Sequence, residues 1–189
     1  MIDSALLIVG ILLWYGAHLF KRVAPKIRKQ MGDRMGDRSK GLVALPLLAG
    51  IVLMVLGYRG MDRIDLWYPP GWLIYLNNLM MLVAIYLFSP APRKGALLNG
   101  MRHPMLIGFL LLTGAHLLVS GDLASIILFG ALGIWAILEI VVINRAEPGW
   151  RPGEKGTITQ DGLFFAVSVV LLVVIGYVHD LIGPSPFPV

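Results

Sequence analysis

The sequence predicts an all-α fold, a polytopic membrane bundle of six transmembrane helices, and three observations carry that expectation. Hydrophobic residues make up 57% of the chain and charged residues only 14%, with a mean hydropathy of +0.78, whereas soluble domains carry about 25% charge. The apolar residues fall in blocks close to the ~20 that one bilayer crossing needs. Lysine and arginine collect in alternate connections between those blocks, the pattern that fixes orientation across a membrane.

The blocks run from Ala5 to Phe20, Leu42 to Tyr58, Trp72 to Phe88, Pro104 to Val119, Leu123 to Ile143 and Leu163 to Ile182. No sizeable soluble domain fits in the remainder. The first block is expected to be a retained helix and not a cleaved leader, because Asp3 precedes its apolar core and the basic "KRVAPKIRK" follows it. It is short, and Lys21 and Arg22 can snorkel, so the helix is free to run on past them. The first connection carries Lys21, Arg22, Lys26, Arg28, Lys29, Arg34, Arg38 and Lys40; the third carries Arg93, Lys94 and Arg102, and the fifth Arg145, Arg151 and Lys155. The opposite side has only Arg59 and Arg63. Both termini are therefore expected to face outward, with the odd-numbered connections in the cytoplasm.

The net charge of +5 belongs to that topology and to an anionic leaflet, so the bilayer is the expected partner and nucleic acid is not. "WYPPGW", residues 67 to 72, reads as an interfacial aromatic belt. "EPGWRPGEKGTITQDG", residues 147 to 162, reads as a cytoplasmic loop from its glycine, proline and charge. Cysteine is absent, which excludes disulfides and thiolate ligands.

Ionisable groups inside spans cost a few kcal/mol on insertion scales, so they mark functional candidates. Among them are His18, His116, Glu139 and His179, with His103 at the mouth of the fourth span between Arg102 and Pro104. His103 and His116 lie thirteen positions apart, about 20 Å along a helix and on nearly opposite faces. They cannot serve one site. His103, with Arg102 and Glu139, outlines a polar site on the cytoplasmic side. His116 has a different counterpart, because "LLLTGAHLL" repeats the "LLWYGAHLF" around His18. If the two stretches descend from a duplication, spans one to three and four to six form a 3+3 inverted repeat. Gly114 and Ala115, like the Gly-Ala before His18, leave little side chain on the helix, so that a backbone or flat ligand can approach. Two neutral imidazoles without thiolates or paired carboxylates suit haem iron better than zinc, magnesium or calcium. Counted from the span centres, the two histidines differ in depth by roughly 13 Å, about the limit for one bis-histidine haem.

"WYGAHLFKRVAPKIRKQMGDR", "RHPMLIGFLLLTGAHLLVSGDLASIILFG" and the six-span layout resemble the NnrU family of bacterial membrane proteins, over most of the chain as a single transmembrane domain, residues 1–189. The resemblance implies a link to nitrogen-oxide metabolism in denitrifying bacteria. It also implies kinship with the 15-cis-zeta-carotene isomerases, which use haem b for cis-trans isomerisation of a polyene. By motif, the haem-ligand positions of that branch fall on His18 and His116, flanked by Gly114 and Ala115. That pattern has a cysteine near the second histidine, where this chain has Thr113. "RHPM" is also similar to the Arg-His-Pro-Tyr of isoprenylcysteine carboxyl methyltransferases, which implies S-adenosylmethionine held by Arg102 and His103; the Glu-Glu pair of that family is missing, since Glu139 and Glu147 stand apart. The function expected is thus haem-dependent redox chemistry, sensing, or isomerisation of a small lipophilic substrate. The alternatives are methyl transfer and a non-catalytic subunit that packs against a larger membrane complex.

Overall fold

The computed structural model describes residues 1–187. Among the described residues eight helices follow one another: α1 (Ile2–Val23), α2 (Pro25–Met35), α3 (Arg38–Gly60), α4 (Leu73–Phe88), α5 (Ala91–Lys94), α6 (Pro104–Val119), α7 (Leu123–Ala146) and α8 (Ile158–Ile182). Among the described residues the only strand-like pairing is an isolated bridge between Asp65 and Asp122. Every apolar block is a helix, but the helices are unequal. Four of them, α1, α3, α7 and α8, are long and apolar enough to cross a membrane. The apolar α4 and α6 have 16 residues each, about 24 Å at 1.5 Å per residue, short of a hydrocarbon core of about 30 Å.

The boundaries differ from the sequence expectation where capping or charge extends a helix. α1 starts at Ile2 and runs through Lys21 and Arg22, whose charges suit the negative C-terminal end of its dipole. The basic first connection holds a helix of its own, α2, which starts on Pro25 and stops at Gly36, where φ is +55°. A left-handed residue at that position favours glycine. α8 starts at Ile158, five residues before Leu163, because the Thr157 hydroxyl accepts the Gln160 N–H at 3.3 Å. The outer faces are oily: Leu48, Val52, Leu163, Val170 and Ile182 are all more than half exposed. Such surface is a liability in water and is ordinary against lipid.

The chain divides into two compact units, Met1–Leu66 with Asp122–Trp135, and Trp67–Gly121 with the chain from Ala136 on. In the first, α1 packs on α3 through glycines. A Cβ on Gly10 would lie 2.7 Å from Gly50 O and from Met54 N, and one on Gly57 would lie 2.6 Å from Asp3 O. The first half of α7 joins this unit through polar bonds: the Tyr15 hydroxyl donates to Ala131 O at 2.5 Å, and Tyr58 Oη meets Ser125 Oγ at 2.9 Å. Asp122 caps that half-helix, accepting the Ser125 N–H at 2.9 Å and the Ser125 hydroxyl at 2.7 Å.

In the second unit α6 packs on α4, where Gly108 lets the helices close to the point that a Cβ would sit 3.1 Å from Ala84 O. α8 reaches α4 through Tyr86, whose hydroxyl donates to Asp161 Oδ1 at 2.9 Å and whose ring stands 6.0 Å edge-on from Phe165.

Small residues thus set the helix spacing in each unit. Gly57→Ala is expected to cost about 1–3 kcal/mol by overpacking, whereas Gly16→Ala, with nothing within 4 Å of its Cβ, is neutral or stabilising by up to ~1 kcal/mol from helix propensity. Thermal unfolding in detergent checks the pair. Equal loss in both variants would show that the α1–α3 contact is not held by the glycines.

Candidate functional site

His18 lies one turn beyond Trp14 on α1, and each histidine of the Gly-Ala-His pair is tied to its own helix. His18 Nδ1 is 3.0 Å from Trp14 O, and His116 Nδ1 is 2.8 Å from Leu112 O. A carbonyl only accepts, so each Nδ1 carries the proton and donates it to the carbonyl four residues back. In the neutral imidazole the lone pair then sits on Nε2, the tautomer a metal-ligating histidine uses. Two histidines in unlike surroundings have the same tether.

The His18 ring is further fixed by two indoles within the first unit. Its centroid is 4.2 Å from that of Trp14 and 4.6 Å from that of Trp135, and the two indoles stand edge-on at 5.2 Å. The ring cannot rotate without displacing one of them. In the second unit His116 is half-buried on α6, next to the fully buried Ala115. Gly114 faces Met80, whose Cε would meet a Cβ at 3.3 Å. Thr113, the residue where the isomerase pattern has cysteine, is buried and gives its hydroxyl hydrogen to Leu110 O at 3.0 Å. That hydroxyl is satisfied by its own helix.

The Gly-Ala pair in α1 has a different use from the one the motif suggests. Gly16 and Ala17, with Leu12, Leu13 and Phe20, line a groove of about 330 Å³ that Met31, Leu42, Val43 and Pro46 complete. At 100° per residue, Gly16 and Phe20 each lie about 160° round the helix from His18. The small residues open the side of α1 away from the imidazole.

The Arg-His-Pro motif is spent inside the second unit. Arg102 donates to Glu147 O at 2.5 Å and lies over the Trp150 ring at 5.9 Å, while His103 Nε2 is 2.8 Å from Asn144 Oδ1. These contacts pin the start of α6 to the end of α7 and the loop after it. Glu139 is buried at 6% exposure, and among the described residues its Oε1 has no hydrogen-bond partner. No hydrogen bond or ion pair joins Glu139 to Arg102 or His103 among the described residues. The fourth histidine, His179, holds Pro184 O at 2.8 Å through Nδ1. Among the described residues no group of three or more His, Cys, Asp or Glu is placed to hold a metal ion by itself.

One polar cluster has no counterpart in the sequence reading. Asp161, in the first turn of α8 and almost wholly buried, accepts the backbone N–H of Ala96 at 2.6 Å and of Leu97 at 3.1 Å as well as the Tyr86 hydroxyl. Beside it Gly156 N–H donates to Gly95 O at 3.1 Å and Asn99 donates to Glu154 O at 2.9 Å. Backbones approach so closely here that a Cβ on Gly156 would overlap Lys94 O. The clasp joins two connections some sixty residues apart, and no local spacing announces it. Trp14 was findable, since it lies four residues before His18; Trp135 was not.

A family model described as NnrU protein matches residues 6–186. No curated protein and no solved structure matches the chain.

Because Asp161 gathers three donors, Asp161→Ala is expected to lower the unfolding midpoint in detergent by about 5–10 °C and to speed protease cleavage in residues 147–157. Asp161→Asn, which keeps an acceptor oxygen, is expected to fall between the two. Unchanged cleavage in Asp161→Ala would show that the loops are held by other contacts.

Proposed function

The chain belongs to the NnrU family, and on that premise we propose that it is a bacterial inner-membrane haem protein. Its action is nitrogen-oxide-linked redox chemistry or sensing, or isomerisation of a lipophilic molecule. His18 and His116 are the imidazole ligands in this reading, and haem b is the group they hold. The observation that carries it is the shared Nδ1 tether of the two Gly-Ala-His histidines, which leaves the lone pair on Nε2 in both. When bound, haem b supplies an iron centre able to change oxidation state and to take up a small ligand.

The protein's own part is orientation. The helix-borne carbonyls of Trp14 and Leu112 hold the tautomer and limit rotation about the side chain, and the indoles of Trp14 and Trp135 set the plane of the His18 ring. His103 lacks that tether, since its Nε2 meets Asn144 Oδ1 on another helix and no carbonyl of its own helix. The Arg102 guanidinium reaches Glu147 O and the Trp150 ring, and among the described residues its Nε has no partner.

Absorption of protein purified in detergent from haem-replete cells tests this. A Soret band is expected in the wild type, lost or strongly shifted in His18→Ala and His116→Ala and kept in His103→Ala. A folded, colourless wild-type protein would sink the haem reading and leave the accessory-subunit one standing.

The proposed topology is six crossings with both termini periplasmic, and the basic first, third and fifth connections support it. The chain has no cysteine, so single cysteines report without background. Ser4→Cys and Asp62→Cys are expected to react with an impermeant maleimide in intact spheroplasts, and Lys26→Cys and Glu154→Cys only after lysis. Labelling of Lys26→Cys in intact spheroplasts would overturn the orientation.

A further inference from the structure

The groove on α1 lies beside the strongest concentration of charge in the chain. Between Lys21 and Lys40 there are eight basic residues against two aspartates, an excess larger than the net +5 of the whole protein. Half of these cations fall on α2, which has two dissimilar faces. Ile27, Met31 and Met35 form an apolar stripe, and Arg28 and Arg34, three positions before and after Met31, flank it at about 60° on either side. Met31 is also a wall of the groove. Ile27 and Met35 remain about half exposed. This is the pattern of a helix lying in the headgroup plane, apolar face down and basic flanks outward.

The groove itself is built to take a chain. Its lining from Leu12 to Phe20 on α1 and from Leu42 to Pro46 on α3 is entirely apolar or small, and Gly16 leaves space in which a Cβ would touch nothing within 4 Å. Pro46 brings no N–H to the Leu42 carbonyl, so one acceptor in the wall lacks its helical donor. The charges at its end are only partly neutralised: Lys29 meets Asp33 at 3.9 Å and Lys40 meets Asp37 at 2.6 Å, whereas Lys26 and Arg34 have no carboxylate partner among the described residues. Guanidinium groups bind phosphate oxygens in pairs, with more geometric demand than a lysine.

We infer that this groove is a binding site for one anionic phospholipid, its acyl chain lying along Leu12, Gly16 and Val43 and its phosphate held between Arg28 and Arg34. The site faces away from His18, so it stands or falls independently of haem. An apolar chain alone would recommend any lipid to the groove; the flanking arginines select a negative headgroup. Arg28 also donates to Ser39 Oγ at 3.2 Å, a contact that steadies α2 against α3 and leaves the remaining guanidinium donors for the phosphate.

Native mass spectrometry of the full chain released from nanodiscs of mixed phosphatidylglycerol and phosphatidylcholine tests the proposal. Wild type is expected to retain one phosphatidylglycerol under activation that strips all phosphatidylcholine. Gly16→Phe, which fills the groove and keeps every charge, and Val43→Trp, which fills it from the α3 wall, are each expected to reduce that retention at least tenfold. The Arg28→Gln/Arg34→Gln double variant is expected to keep a lipid but lose the preference for phosphatidylglycerol. Gly41→Phe, at an exposed position with open space around it, is expected to behave as wild type. Equal retention of both lipids by the wild type, unchanged retention in folded groove-filling variants, or a neutral lipophile as the retained molecule would each overturn it.

Discussion

Helices surrounded by lipid gain nothing by hiding leucine from leucine, so they hold together only where backbones come close or polar groups meet. That constraint orders both units of this chain. Gly10, Gly50 and Gly57 bring α1 against α3 at backbone distance, and Gly108 does the same for α6 against α4. Polar joints add to these, three of them through tyrosines: Tyr15 on Ala131 O, Tyr58 on Ser125, Tyr86 on Asp161. Three tyrosines make the links because each carries an apolar ring through the packing layer and a hydroxyl beyond it.

The same constraint explains the local tethers of the histidines. A buried imidazole N–H without a partner is costly in a dry environment, and the nearest acceptor on a helix is the carbonyl one turn back. His18 and His116 both use it. The solution removes a liability and fixes a tautomer in one step. What separates His18 from a merely satisfied histidine is the pair of indoles about its ring. Packing that tight restrains the orientation of Nε2 more than satisfying one N–H requires.

Much of the helix pattern could be read from the sequence, because apolar runs bounded by charge have few alternatives in a chain this hydrophobic. The ends were harder. α1 outruns its apolar block since Lys21 and Arg22 favour a helix C-terminus, and α2 sits in what charge alone marks as a loop. Its three-residue apolar stripe is too short to stand out among eight cations. The candidate histidines were legible as rare residues in oily runs. Their neighbours were not: a motif gives the order Gly-Ala-His, but only the helical phase shows that Gly16 and Ala17 open one side of α1 while His18 occupies another. Trp135 and the Asp161 clasp come from distant parts of the chain, and composition carries no record of such pairings.

The two motifs that looked alike in importance, Arg-His-Pro and Gly-Ala-His, are separated by which imidazole nitrogen each one uses. At His103 the outer nitrogen, Nε2, faces Asn144, and Arg102 beside it is taken up by Glu147 O and Trp150. Every one of these contacts runs between the start of α6 and the end of α7 or the loop that follows. A motif at a helix start that binds the neighbouring helix end fixes where a short helix begins, and α6, at 16 residues, has little length to spare for slippage. At His18 and His116 it is Nδ1 that is used, each bonded to the carbonyl four residues back on its own helix. Those two Nδ1 tethers each run along a single helix and bind no second element, whereas the contacts of His103 and Arg102 answer to the fold.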